Sequence, residues 1–433
     1  MAAAMTKDAR RADATEARLA ALALPKGGFT APARADALAR LRATGLPVRR
    51  DEYWRWTDPA RLNADRPDEG AAFRVDRPIF EGRDKVRLVF EDGVFDAAAS
   101  DDPALAGVEI ARLSEADRAD IHWAKAHYGA LEAAGQSPVL RPFAALNTAA
   151  ATEGLLIRVT GKAPRPLHIS YRQSEKTSDV ILHHVVRVEE GAALTLLETG
   201  TPGARANVVT EVDVAKDGQF HHIRPQGRAI DRVMVTHLFA RVAEGATFKS
   251  FTLTTNGRFT RNEAVIHIAG DGATAHIAGA ALGDGEDGPF HHDDTVFVTH
   301  DAVGCESRQV FKKVLKHGAT GVFQGKILVR PGAQKTDGYQ ISQSLLLDDD
   351  SQFLAKPELE IYADDVKCSH GSTTGAIDET ALFYLRSRGV AEEDAKALLI
   401  LSFLADAIAE IEDAEIAADV VERLEDWLQR RRK

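Results

Sequence analysis

Val186-Arg187-Val188 ahead of Gly191, Val212-Asp213-Val214 ahead of Gly218, Ala240-Arg241-Val242 ahead of Gly245 and Ile266-His267-Ile268 ahead of Gly272 decide the fold of this 433-residue chain. Each short alternating run ends at a glycine, and the four glycines fall 27 residues apart. Further on, Val314-Leu315 precedes Gly318 and Ile327-Leu328-Val329 precedes Gly332, and Gly304, Gly318 and Gly332 are spaced by 14, close to half the first interval. The step from Gly272 to Gly304 is 32, and its excess falls in the polar stretch Gly283-Asp284-Gly285-Glu286-Asp287-Gly288, which reads as a loop bulging outward. A fixed period of short β-runs and turn glycines predicts a β-solenoid with about two strand-turn units per coil. Strand alternation then stacks Val188, Val214, Val242 and Ile268 in one apolar column. A β-sandwich is the rival, because it too spaces its strands regularly. The constancy of the interval and the scarcity of Asn-Gly or Asp-Gly hairpin pairs favour the solenoid.

On both sides of the repeats the texture is helical. Residues from about 7 to 45 are rich in Ala, Arg, Leu and Glu and read as helix broken at Pro25-Lys26-Gly27-Gly28. Asp51-Glu52-Tyr53-Trp54-Arg55-Trp56-Thr57-Asp58-Pro59 carries two of the four tryptophans and reads as an anchor that packs this arm on the body. Glu115 to Leu131 is expected to be helical around Trp123. After Lys367, Asp378 caps a helix that Gly389 ends, a second helix runs from about Ala391 to Ile411, and a third carries Ile416, Val420, Leu424 and Leu428 at spacing four with Trp427 beside them. The division is a mixed helical domain over 1–145, a β core over 146–366 and a helical domain over 367–433. The last of these is expected to cap the open strand edges of the solenoid.

Hydrophobic residues make up 44% and charged residues 27%, ordinary for a soluble globular protein. A net charge of −11 disfavours general binding to nucleic acid or to an anionic membrane. The basic end Arg430-Arg431-Arg432-Lys433 favours a helix dipole instead. The first residues carry no secretory pattern, and the most apolar run, Ala397 to Leu404, is too short to span a bilayer. Two widely separated cysteines make no disulfide framework, so the expected compartment is a reducing cytoplasm.

Chemistry concentrates in few places. His183-His184, His221-His222 and His291-His292 are pairs whose members point to opposite faces of a strand, so none of the three pairs chelates one ion as helix neighbours do; most read as corner or surface residues. His291-His292-Asp293-Asp294, read as part of the bulging insertion, is the best unassigned metal candidate. Asp348-Asp349-Asp350 reads as a solvated turn. Asp364 and Asp365 are paired carboxylates of the kind a solenoid polysaccharide enzyme uses. No phosphate-binding Gly-x-x-x-x-Gly-Lys-Ser/Thr loop and no Gly-x-Ser-x-Gly elbow occurs. Lys367-Cys368-Ser369-His370-Gly371-Ser372-Thr373-Thr374-Gly375 puts a thiol two residues from an imidazole, the two softest ligand types, although two ligands alone do not make a metal site. Cys305 has no role beyond packing.

The block from Gly321 to Val390 says more than its spacing. Gln324-Gly325-Lys326-Ile327, Ala333-Gln334-Lys335-Thr336-Asp337-Gly338-Tyr339-Gln340, Lys356-Pro357-Glu358-Leu359-Glu360-Ile361, Ala363-Asp364-Asp365-Val366-Lys367-Cys368-Ser369-His370-Gly371 and Phe383-Tyr384-Leu385-Arg386-Ser387-Arg388-Gly389 closely resemble the SufB/SufD family of iron–sulfur cluster assembly proteins. The Cys-Ser-His form and the low cysteine count look like its SufD branch, and Trp54-Arg55-Trp56-Thr57 is similar to an aromatic motif in that branch's helical arm. The resemblance implies a right-handed parallel β-helix between N-terminal and C-terminal helical domains. It implies a non-catalytic scaffold subunit that pairs with a SufB-like paralogue, while a SufC-like ABC ATPase docks on the helices after Asp378 and hydrolyses the ATP. It implies that His370, with Cys368 beside it, handles a transient Fe–S cluster at the interface with the paralogue. A flavin is associated with such complexes, but nothing in the sequence marks a flavin pocket; a homodimer of the isolated chain stays open. Two other readings stand beside this one: a carbohydrate-active solenoid using Asp364 and Asp365, and a structural partner in which Cys368 and His370 are core residues.

Overall fold

A computed structural model describes residues 7–71, 78–227, 229–286 and 288–430. The expected roles of Asp287 in the bulging loop and of Arg431, Arg432 and Lys433 lie outside the described residues. From Leu155–Val159 to Lys367–Gly375, successive strands alternate between two sheets, and each pairs in parallel with the strand two places on. This is a parallel β-helix with two strands per coil. The sandwich fails because the antiparallel pairs among the described residues sit at the N-terminal margin, where Val86–Glu91 meets Val94–Asp96 and Glu109–Arg112 meets Leu155–Val159.

Register confirms the apolar column. Val188 stands beside Val214, Val214 beside Val242 and Val242 beside Ile268, all buried in one core. The next rung is His300, wholly buried, with Nε2 2.7 Å from Ser307 Oγ, and Val329 follows it. The turns stack as well. Gly191, Asp217, Gly245, Gly272, Gly304 and Lys335 all take a positive φ, and each donates its backbone N–H to a carbonyl of the following coil. The column therefore passes through Asp217 and Lys335 where the glycine period marks Gly218 and Gly332. The sequence interval of 27 looks constant because Gly218 lies one place from the true turn residue.

Two expectations are corrected here. The C-terminal helices Glu379–Ser387, Glu392–Ile408 and Ala414–Arg430 form as read, with Asp378 capping the first through Thr380 and Ala381. They do not close the end of the solenoid. Their apolar face, including Ile400, Leu404, Val420 and Leu424, packs on Ile223, Phe251, Leu253 and Val310 along the outside of the ten-stranded sheet. The alternating apolar positions on that outer face supply enough area to hold a helical layer there. The terminal strands Gln352–Ile361 and Lys367–Gly375 are consequently the last of their sheets, paired on one edge only among the described residues. The strands also run on past residue 366. Glu115 to Leu131 is likewise not one helix but the short pieces Leu113–Ala116, Trp123–Ala126 and Ala130–Ala134. The Asp117 carboxylate accepts from Gly28 N, Thr30 N and Thr30 Oγ1, and these tertiary bonds hold the chain in a turn where the first piece ends.

The aromatic anchor is as expected. Trp54 is buried against Phe143 with the Arg261 guanidinium 4.1 Å over its ring, and Tyr53 Oη donates to Glu358 at 2.6 Å. Arg261 is nearly inaccessible and joins Glu263 at 2.8 Å, Asp293 and the Tyr53 carbonyl. No described helix is long and apolar enough to cross a membrane.

The paired histidines do point to opposite faces, yet they are not corner or surface residues. His183 lies under the N-terminal helices, 2.8 Å from Glu211 and 3.0 Å from Asn147. His184 points into the lumen toward Tyr171 Oη at 3.0 Å. At this pair both sheet faces are covered, one by the opposite sheet and one by helices, so His183 and His184 are each buried although they point opposite ways.

Two predictions follow from this buried polar set. Arg261→Met leaves Glu263 and Asp293 without their shared cation, and urea unfolding is expected to show a loss of about 3–5 kcal/mol. The second concerns pH. Burial holds His184, His237 and His300 each down to about 4, so they fold neutral, whereas the unfolded chain takes up their protons near 6.5. Their contribution is fully present above about 6.5 and is lost as pH falls toward about 4. Burial would raise Glu263, but Arg261, His237 and Arg141 hold it down to about 2, which extends the loss below about 4.5. A thermal-unfolding midpoint that stays flat between about pH 6.5 and 4 would contradict this.

Candidate functional site

The stretch singled out for its thiol and imidazole is the last strand of the ten-stranded sheet, Lys367–Gly375. Its register places Cys368 beside Gly338, His370 beside Gln340, Ser372 beside Ser342 and Thr374 beside Ser344. The inner partners Gly338, Gln340, Ser342 and Ser344 are buried and face the lumen, so Cys368 and His370 project from the same face at its open end. Here the lumen changes chemistry. Gln340 Nε2 donates to Gln309 Oε1 at 2.8 Å, Ser342 Oγ lies 3.1 Å from Ser372 Oγ, and Ser344 Oγ lies 3.2 Å from Thr374 Oγ1. Polar rungs replace the valines and isoleucines of the middle coils, which lets the end face water or a polar partner at little cost.

Cys368 is half-buried against Ile327, Val329, Ala333 and Ala363. Gly338 makes room for it: a Cβ there would lie 3.2 Å from the thiol sulfur. Burial pushes the Cys368 thiol above its usual range, with Asp337 adding to the rise and a Gly338 backbone hydrogen bond opposing it. At neutral pH it is a thiol, and a metal must displace its proton in order to bind. His370 is exposed, above Gln340, whose Oε1 has no partner among the described residues. Two residues along a strand span roughly 6.6 Å, so thiol and imidazole share a face yet sit far apart for one small ion. No third His, Cys, Asp or Glu among the described residues completes a three-donor group with them. The pair places two soft donor types on one face of an open edge.

The other candidates resolve differently. His292 Nδ1 lies 2.7 Å from Lys313 Nζ, Asp294 bonds the same ammonium at 2.6 Å, and Asp293 pairs with Arg261. Cations of the protein already occupy that motif, so it is no metal site, and it forms part of a strand rather than of the bulging loop. Asp284, Glu286 and His317 are the described residues whose donor atoms do converge, with His317 Nδ1 2.6 Å from Asp284 Oδ1. Asp348 accepts from His317 N and from Ser351 N, as a turn carboxylate does. Asp364 and Asp365 are exposed at the turn between the last two strands. Cys305 is buried in the lumen with Sγ 3.2 Å from the Gly270 carbonyl. Sequence reasoning missed the polar lumen end. Its signal was present in Gly338-Tyr339-Gln340-Ile341-Ser342-Gln343-Ser344, where every inward position is small or polar.

The two thiols differ in reach, since Cys305 is 1% exposed and Cys368 lies at the open end. Iodoacetamide is expected to alkylate Cys368 well ahead of Cys305. Because the thiolate reacts and the Cys368 pKa is raised, its rate should climb about tenfold per pH unit from neutrality without levelling off below pH ~9. A plateau near neutral pH, read by mass spectrometry, would show that the thiol is already ionised.

Comparison with known proteins follows the same lines. The family model "SUF system FeS cluster assembly, SufBD core domain" matches residues 171–403. The chain is 28% identical over 423 residues to the iron-sulfur cluster assembly protein SufD of Escherichia coli, covering 92% of this chain and 93% of that one. It is 26% identical over 400 residues to a SufBD family protein of Synechocystis, covering 87% and 86%. Over 152 residues it is 31% identical to SufD of Bacillus subtilis, covering 35% and 34%.

Proposed function

The chain belongs to the SufB/SufD family of the SUF iron–sulfur cluster assembly system, and from that premise we propose that it is the SufD-type scaffold subunit, without catalytic activity of its own. Its part in Fe–S cluster assembly rests on the family. The finer reading rests on one observation: Cys368 and His370 sit on the last strand, paired on one edge only among the described residues, where the lumen opens. A nascent cluster needs soft donors that hold it and still release it. One imidazole and one reluctant thiol from this chain, completed by donors of a SufB-like paralogue, make such a labile site. The cluster is cargo, not a resident cofactor.

The same strand supplies the means of pairing, because its free backbone groups can extend the sheet into a second chain. The C-terminal helices support docking of a SufC-like ATPase. Phe383 is 73% exposed and Tyr384 55% exposed on the first of them, and Leu398 is 51% exposed on the second. Large exposed apolar side chains clustered on one helical layer mark a protein-interaction surface. ATP hydrolysis in that partner would move the edge where the cluster forms.

The test is co-expression with SufB-like and SufC-like partners and gentle affinity purification. The wild-type chain is expected to bring both down in fixed ratio. His370→Ala should recover the same complex with unchanged thermal stability but several-fold less iron and acid-labile sulfide. Equal cluster content in the variant would remove His370 from the site, and a chain recovered alone would remove the scaffold reading.

A further inference from the structure

At the other end of the ten-stranded sheet, a cavity of about 580 Å³ lies between the sheet's outer face, the segment Pro78–Lys85 and the final helix. Its floor carries His168 and Ser170 from the strand Leu167–Arg172, beside Arg87 from Val86–Glu91 and Thr199 from Ala193–Gly200. Its volume is that of a small-molecule site. In a chain of net charge −11, this wall is cationic: Lys85, Arg87, Arg172 and Arg423 border it against Glu81 and Glu91. Among the described residues, Lys85, Arg87 and Arg172 form no ion pair with a carboxylate. Lys85 Nζ instead donates to the Phe80 carbonyl at 2.5 Å.

The second observation is His168. It is 4% exposed, and its Nδ1 has no hydrogen-bond partner among the described residues. Its Nε2 lies 2.7 Å from Thr199 Oγ1. When that hydroxyl donates to Nε2, the ring proton is on Nδ1. A buried ring nitrogen without a partner is costly, and a ligand acceptor would remove that cost. Burial, with Lys85 and Arg87 nearby, keeps His168 neutral down to about 3, so it offers a proton without needing a counter-charge.

We propose that this cavity binds a phosphate-bearing small molecule, held by Lys85 and Arg87, by the Nδ1–H of His168 and by the hydroxyl of Ser170. Cations and neutral donors reach the space from separate strands and a loop, which suits a multiply charged tetrahedral oxyanion with several acceptor oxygens better than a single planar carboxylate. Arg172, exposed at the rim, would take a second phosphate or steer the anion inward. The site lies at the opposite end of the β-helix from Cys368 and His370, so it stands or falls independently of the cluster-assembly reading.

The experiment is isothermal titration of the full chain at low salt with inorganic pyrophosphate and, separately, with ADP, alongside NMR of ring-labelled histidine. Saturable binding of either probe is expected, together with a shift of the His168 ring signal. Arg87→Glu should weaken binding by about tenfold or more, as should rising salt. Arg87 is exposed, so this variant is expected to fold; Arg172→Glu serves as a second variant. Binding of pyrophosphate alone assigns the site to the phosphate group, and tighter binding of ADP extends it to a nucleotide. No saturable binding at millimolar probe, or binding that both variants leave unchanged, overturns the proposal.

Discussion

In a parallel β-helix, each strand depends on the next coil for half of its hydrogen bonds. Every inner strand here is paired on both edges, and the turn column from Gly191 to Lys335 repeats the rule outside the strands, each N–H reaching a carbonyl one coil further on. The dependence has no internal end. A last coil must exist, and its outward N–H and C=O groups must find water, a cap or another chain. The C-terminal helices could have served as a cap. They are held instead on the sheet's outer face by Ile400, Leu404, Val420 and Leu424, and the end is left open.

That arrangement explains why the polar character of the lumen is graded. The middle coils bury Val188, Val214, Val242 and Ile268, which would be a liability at an open end. Toward the last strand the rungs become Gln309 and Gln340, then His370, and in the neighbouring rows Ser342 with Ser372 and Ser344 with Thr374. A thiol and an imidazole projecting from such an end are reachable by a partner without any opening of the core. The half-burial of Cys368 against Ile327 and Val329 tempers this by keeping its proton on at neutral pH.

The coil architecture was legible because its signals are local: strand alternation and a turn residue with positive φ recur once per coil. The reading slipped where a non-glycine took that conformation, at Asp217 and Lys335, since only tertiary stacking forces such residues into it. The helices after Asp378 were legible from their caps and their spacing of four, but their placement was not. Amphipathicity says that a face will be buried, not against which surface. The histidine pairs misled for a related reason. Alternation correctly sends His183 and His184 to opposite faces, while the burial of both faces depends on a helical layer recruited from far along the chain. Cys368 and His370 were found by residue type and family resemblance, and the Gln340 beneath His370 only by register.

The two open strands are unequal templates for a partner. Gln352–Ile361 carries Pro357 at its centre, which removes a backbone donor. Its charged side chains are also engaged within the chain: Lys356 with Glu52 at 2.5 Å, Glu358 with Tyr53, and Glu360 with Lys326. The N-terminal aromatic arm thus lies against this strand and blunts it. Lys367–Gly375 has no proline, keeps its full set of backbone donors, and is exposed along almost its whole length. Strand addition by a second chain is therefore directed to the edge that bears Cys368 and His370. Pairing there would bring a second chain's side chains into the same row as that thiol and imidazole, so one backbone contact would both join two chains and surround these two groups.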